Sequence, residues 1–227
     1  MSDSGFVGTS GVRELGRAYL RQRYTILFYT LMLTIVAAPV FAALEFPGVL
    51  IESLLAANLL AAVLPVSAGK GRSVLLVLMI LVWLARSAIA WFEHPALSAM
   101  TLGIWTVIGL LAAAGALRFA MRAASVDAEH LYAALSAYLL AGIFFGLFYW
   151  VLEQSWPGTF AFTGEFSRMS AFYFSFVTLA TLGYGDIVPR TDVARGLAIV
   201  EGVGGQLFLA VMVARLVSLY GREKEAN

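Results

Sequence analysis

Six apolar runs, each near the length that crosses a bilayer, constrain this chain more than any other feature. They lie at roughly Tyr24–Leu44, Pro47–Val66, Ser73–Phe92, Ala96–Leu117, Leu131–Glu153 and Asp192–Tyr220. A spanning helix needs about 20 largely apolar residues. Composition agrees, with 61% of the 227 residues hydrophobic and 13% charged, about half the charged share of a soluble domain. The expected fold class is therefore an all-α membrane protein with six transmembrane helices. There is no cysteine, which excludes disulfides and thiolate metal sites. The polar stretch before the first run is too long and mixed for a secretory signal. A net charge of +1, with no basic patch outside the membrane flanks, gives no support to nucleic-acid binding.

Charge placement orients the runs. One set of loops carries Arg13, Arg17, Arg21, Arg23, Lys70, Arg72, Arg118, Arg122, Arg222 and Lys224, whereas the other carries Arg168, Arg190 and Arg195. The positive-inside rule then places both termini in the cytoplasm, as an even number of spans requires. The opposite loops hold Glu45, Glu93, Glu165 and Asp186, an acidic lean that favours cation access.

Between the fifth and sixth runs the pattern changes. Residues 169–180, MSAFYFSFVTLA, are apolar but too short to span, and residues 178–186 read TLATLGYGD. Polar backbone at membrane depth is tolerated only where protein buries it or water reaches it. Gly183 and Gly185 flank Tyr184, and glycine takes the positive φ angles that other residues resist. Alternating such residues turns successive carbonyls toward one side. Carbonyl oxygens arranged that way around an axis replace the hydration shell of an ion, and the Thr181 hydroxyl adds a ring of oxygens below. Four copies must surround the axis to close such a site, so a homotetramer is expected.

Thr178, Thr181, Gly183, Tyr184, Gly185 and Asp186 resemble the potassium-channel signature T-x-x-T-x-G-Y-G-D. A short apolar helix before it and a long span after it extend the resemblance to residues 131–220. The resemblance implies potassium selectivity, with K+ as the permeant ion and no further cofactor. It implies a re-entrant pore helix and a selectivity filter of Thr181, Leu182, Gly183, Tyr184 and Gly185. Carbonyls of Thr181, Leu182, Gly183 and Tyr184 would bind K+, with the Tyr184 ring turned away from the pore. The chain departs from the family where many members carry tryptophans behind the filter, since Tyr173 and Phe174 stand there. Phe174 has no hydroxyl to offer Tyr184. Tyr173 has one to offer Asp186, so Thr178, Tyr173 and Asp186 are expected to support the filter. Thin buttressing would ease filter inactivation; aromatic packing alone is the other possibility.

The sixth run carries Gly202, Gly204 and Gly205. Gly205 resembles the family's gating-hinge position, although small residues in membrane helices also serve close packing. Leu209, Val213 and Val217 recur every four residues beyond it, near Gln206. Facing the axis, Val213 and Val217 would form an inner gate that closes by dewetting; facing lipid, they would be ordinary lipid-exposed residues. Glu201 lies inside the run, where carboxylates are rare and face protein or water. It is expected to support the filter by a hydrogen bond to the pore helix or filter backbone, or else to stay protonated by desolvation.

The first four runs resemble a voltage-sensor bundle in number only. The fourth holds no Lys or Arg before Arg118, so strong voltage gating is not expected. Glu52 and Arg86, near the outer ends of the second and third runs, are expected to pair. Six-span potassium channels without gating arginines suggest a bacterial inner membrane. The domains are 1–23, a cytoplasmic amphipathic segment; 24–117, the four-helix bundle; 118–130, an interfacial linker; 131–220, the pore domain; and 221–227, a cytoplasmic tail. Arg13, Arg17 and Arg21, with Arg118 and Arg122, are spaced to meet anionic lipid. An enzyme is not expected: the two histidines, His94 and His130, fall at opposite membrane faces. A potassium transporter subunit would repeat the G-Y-G element, which occurs once. A nonselective cation channel is the nearer rival, and Tyr184 argues against it.

Overall fold

The computed structural model describes residues 22–44, 48–63, 77, 80, 81, 83, 84, 95–122 and 128–226. Its elements are α1 (Arg23–Ala43), α2 (Gly48–Val63), α3 (Pro95–Ala120), α4 (Ala128–Ser155), β1 (Phe160–Ala161), α5 (Arg168–Leu179), β2 (Val188–Pro189) and α6 (Asp192–Ala226). Among the described residues, four stretches are long and apolar enough to cross a membrane: Arg23–Ala43, Met100–Ala120, Ala128–Ser155 and Asp192–Arg215. The chain is thus a helical membrane protein. The second apolar run forms α2, with 16 residues. In the third, residues 77, 80, 81, 83 and 84 are helical. Its Ile80 and Trp83 line an apolar cavity of about 190 Å³ shared with Ala56 and Leu60 of α2 and Trp105 of α3. The basic N-terminal segment and the side chains of Glu52 and Arg86 lie outside the described residues.

Small residues bring the helices together. Ala112, Ala113, Ala116 and Ala120 of α3 and Ala133, Ala134 and Ala137 of α4 are all buried. In lipid, association depends on such close backbone approach, because apolar surface alone gives no drive. Gly109 of α3 lies under the Phe144 ring, where a Cβ would come within 2.3 Å of ring carbons. The same device seats α5 on α4. Added Cβ atoms at Gly142 and Gly146 would fall 2.6 Å from the Phe176 ring and 2.5 Å from the Phe172 ring. Two phenylalanines of α5 therefore occupy notches that two glycines leave open.

Polar ties fix the ends. At the N-terminus of α1 no side chain of its own caps the first turn. Glu129 of α4 does so instead, accepting from the Tyr24 and Thr25 amides at 3.0 and 3.2 Å and from the Thr25 hydroxyl at 2.6 Å. A carboxylate there satisfies orphan N–H groups and complements the helix dipole. Next to it Tyr24 stacks on Phe119, Phe119 stacks on His130, and the Arg23 guanidinium lies 4.8 Å from the Phe119 ring centre. Within the bundle, buried Asn58 of α2 donates to Thr34 of α1 at 2.6 Å.

At the other end, β1 and β2 pair antiparallel, with Phe160 opposite Pro189 and Ala161 opposite Val188. The Glu153 carboxylate accepts from the Gly158 and Phe160 amides at 2.8 and 2.9 Å, which closes the turn leading into β1. Phe160 packs against Tyr149, Phe166 and Phe174 with ring centres 5.0–5.5 Å apart. The loops that carry β1 and β2 are thereby fastened to the helix behind the GYG segment.

Candidate functional site

The site begins at α5, whose 12 residues extend about 18 Å at 1.5 Å per residue. Ser167 and Ser170 form a reciprocal capping box at its start, satisfying two of the first-turn donors. Its far end is more unusual. The Thr181 amide bonds to the Thr178 carbonyl at 3.0 Å, and the Leu182 amide to the Val177 carbonyl at 2.9 Å. This pair of bonds around the cap Ala180 is a Schellman motif. Its left-handed position, usually glycine, is held by Thr181 at φ 56°. A β-branched residue there is a genuine outlier, and strained backbone of this kind costs about 1–3 kcal/mol.

From Thr181 the backbone alternates. Thr181, Gly183 and Gly185 have φ of 56°, 59° and 80°, whereas Leu182 and Tyr184 between them do not share the positive region. Sequence reasoning anticipated the two glycines but not Thr181, since no propensity marks threonine for that conformation. The five residues form an open strand on the surface of the protomer, with Tyr184 66% exposed.

α6 supports this strand from behind along one seam. Glu201 is 1% exposed. Its Oε1 lies 2.5 Å from Ser175 Oγ, and its Oε2 accepts from the Tyr149 hydroxyl at 2.7 Å. Gly202 lies over Thr178, whose carbonyl would be 3.6 Å from an added Cβ. Gly205 meets the end of the short helix: a Cβ would fall 2.4 Å from the Leu179 carbonyl oxygen and 3.2 Å from its carbon. Gln206 Nε2 then donates to Thr181 Oγ1 at 3.1 Å. Positions 201, 202, 205 and 206 thus meet 175, 178, 179 and 181 in order. Of the two readings left open for Gly205, close packing has this direct contact beneath it.

The support around Tyr184 and Asp186 is lighter. The Tyr173 and Tyr184 rings stack with centres 6.3 Å apart, and the Tyr173 hydroxyl hydrogen-bonds the Asp186 carboxylate. Asp186 Oδ1 also accepts from the Ile187 amide at 3.1 Å. Phe174 is turned inward, against Tyr149 and Phe160. Lower on α6, Val213 and Val217 are 60% and 67% exposed, on the flank that begins with Gln206. Arg118 and Arg122 are both exposed around the end of α3. Ser175 and Tyr149, the two partners of Glu201, escaped sequence reasoning. The unpaired carboxylate in an apolar run was the signal that partners existed, but not which.

Residues 134–222 match the family model described as an ion channel. The chain is 50% identical over 50 residues to "Two-pore potassium channel 4" of Arabidopsis thaliana, covering 22% of this chain and 18% of that one. It is 34% identical over 89 residues to "Inward rectifier potassium channel Kirbac3.1" of Paramagnetospirillum magnetotacticum, covering 37% and 28%. It is 42% identical over 55 residues to "Voltage-gated potassium channel Kch" of Escherichia coli (strain K12), covering 24% and 12%. The chain therefore spans less than a third of the length of each of these relatives. No solved structure matches it at a significant level.

Proposed function

We propose that this chain is the subunit of a potassium-selective channel, with residues 181–185 as the filter of a homotetrameric pore and α5 as its pore helix. The observation that carries the reading is the alternation of positive φ at Thr181, Gly183 and Gly185 in a strand left open to an axis. An alternating backbone directs successive carbonyls to one side, as a carbonyl-lined ion path requires. Tyr184 stacking on Tyr173 fits a ring held away from that path. The three relatives, each named a potassium channel, support the same ion.

Assembly follows from what α6 leaves uncovered. Within the protomer 11% of its spanning window is buried, against 56% for α4. Its covered stripe includes Ala194, Glu201 and Gly205, so the remaining faces are left to lipid, to other copies and to the pore. Gln206 touches the filter base through Thr181, which supports the axial placement of the Val213 and Val217 flank as an inner gate. Six spans with both termini cytoplasmic in a cell membrane, a bacterial inner membrane on the resemblance, and anionic lipid at Arg118 and Arg122 belong to the same reading.

Purified protein in liposomes tests it. Reversal potentials in mixed potassium and sodium gradients should follow the potassium gradient; a reversal near zero with equal total cation overturns the proposal. Conductance should depend only weakly on voltage, because α3 carries no basic residue before Arg118. Val213→Ser or Val217→Ser should raise open probability with selectivity unchanged, since a polar ring wets more readily. Serine variants that conduct like the parent would place the gate elsewhere.

A further inference from the structure

We propose that Glu201 is a neutral carboxylic acid that donates its proton to Ser175, and that through this bond it positions the pore helix. The inference deepens the channel reading and rests on it for the functional consequence, though not for the protonation state.

The argument is a count of protons. Ser175 Oγ lies 2.7 Å from the Gly142 carbonyl oxygen and 2.5 Å from Glu201 Oε1. Both are short contacts between oxygens, and each needs a proton between its partners. The serine hydroxyl has one proton, and a carbonyl has none. The proton on the Gly142 side must therefore be the serine's, so the proton on the other side must be the glutamate's. The second carboxyl oxygen completes the count by accepting from the Tyr149 hydroxyl at 2.7 Å. An ionised Glu201 would leave one of the two contacts at Ser175 as oxygen facing oxygen with no hydrogen.

The surroundings agree. Ser175 and Tyr149 are fully buried, as Glu201 nearly is. Among the described residues, the polar groups facing Glu201 are those two hydroxyls, with the Tyr138 phenol of α4 nearby. On the α3 side the neighbouring cavity contributes Leu110, Ala113, Ala114 and Leu117. Among the described residues no cation offsets a charge there, and a carboxyl in such a place neutralises rather than bury an isolated charge.

The position gives the bond its use. Ser175 and Glu201 together join three helices: α5 through Ser175, α6 through Glu201, and α4 through Gly142, bonded to Ser175, and Tyr149, bonded to Glu201. It stands above the Gly205 contact and the Gln206 bond to Thr181 on the same seam. A rotation of α6 that carried Glu201 away would pull on the helix that ends in the filter. Glu201 is thus a positioning residue acting through Ser175, not a group that touches the ion.

The test compares Glu201→Gln, Glu201→Asp and Glu201→Ala in the full chain. A glutamine amide reproduces the neutral acid, with its N–H donating to Ser175 and its carbonyl accepting from Tyr149. The expected result is potassium flux close to the parent for Gln and a loss of about tenfold for Ala, as expected when a buried donor–acceptor set is broken. Asp, one methylene short, should resemble Ala. Independently, infrared difference spectra of the purified protein at neutral pH should show a protonated-carboxyl C=O band that is missing in Glu201→Gln. Absence of that band, or a Gln variant as impaired as Ala, overturns the proposal. If the Ala variant does not assemble, the Gln variant and the band still decide. A parent that conducts no potassium would sink the channel reading, while the band would still report the proton on Glu201.

Discussion

The strand of residues 181–185 is held differently at its two ends. At one end, the Thr181 and Leu182 amides close α5, Gln206 bonds the Thr181 hydroxyl, and the helix before it is tied through buried Ser175. At the other end, Tyr184 has a stacked ring and Asp186 has one tyrosine hydroxyl, both exposed. A hydrogen bond removed from water leaves a costly orphan when broken, whereas an exposed one is exchanged for water at little net loss. More contacts, with the buried Ser175 bond among them, therefore make the Thr181 end stiff and the Asp186 end compliant. Any collapse of the strand should begin at Gly185 and Asp186 rather than at Thr181.

The largest effect is expected at the inner seam. Gly205→Ala places a methyl against the Leu179 carbonyl, and backbone cannot swing aside as a side chain can. Overpacking of this kind costs about 1–3 kcal/mol, to be read as a clear drop in the thermal midpoint of the assembled protein in detergent. An unchanged midpoint would mean that α6 and α5 do not approach this closely. Helix propensity alone, which favours alanine over glycine by about 1 kcal/mol, would instead raise stability, so the two explanations differ in sign.

Ser175→Ala should come next. It strands the Gly142 carbonyl contact and the Glu201 carboxyl together, at about 1–3 kcal/mol for a buried unsatisfied group. Combined with Tyr149→Phe it should be non-additive, because both partners serve one carboxyl. Additive effects in that double-mutant cycle would split the inner support into unrelated contacts. Tyr173→Phe should be the smallest, about 0.5 kcal/mol or less in stability, since the ring stack survives and Asp186 turns to water. Its effect should show instead as faster loss of current during sustained conduction. If Tyr173→Phe destabilises the protein as much as Ser175→Ala, the contrast between the ends fails.

The sequence disclosed the parts of this arrangement that are written locally. Apolar runs mark spans because lipid demands them, and the two glycines around Tyr184 mark positive φ because other residues avoid it. What stayed hidden was pairing at a distance. Tyr149 lies 52 positions before Glu201 and Ser175 lies 26 before it, and neither spacing has a periodicity that announces contact. Gly142 and Gly146 look like ordinary small residues of a membrane helix until Phe176 and Phe172 are seen to fill their notches. Thr181 is concealed for the opposite reason: its own preference argues against the conformation that the helix end, Gln206 and the following strand together impose. The pairing expected between Glu52 and Arg86 falls outside the described residues.

The three bonds from the start of α1 to Glu129 span 104 to 105 positions of sequence, yet they close within one polypeptide. With α3 and α4 forming a helical hairpin whose alanines interlock, the bundle is seated on the α4 of its own chain. A newly made subunit can finish that docking before it meets a neighbour. Any assembly then starts from subunits whose described helices are already docked within themselves, and a subunit damaged in its bundle is exposed to quality control as a single molecule.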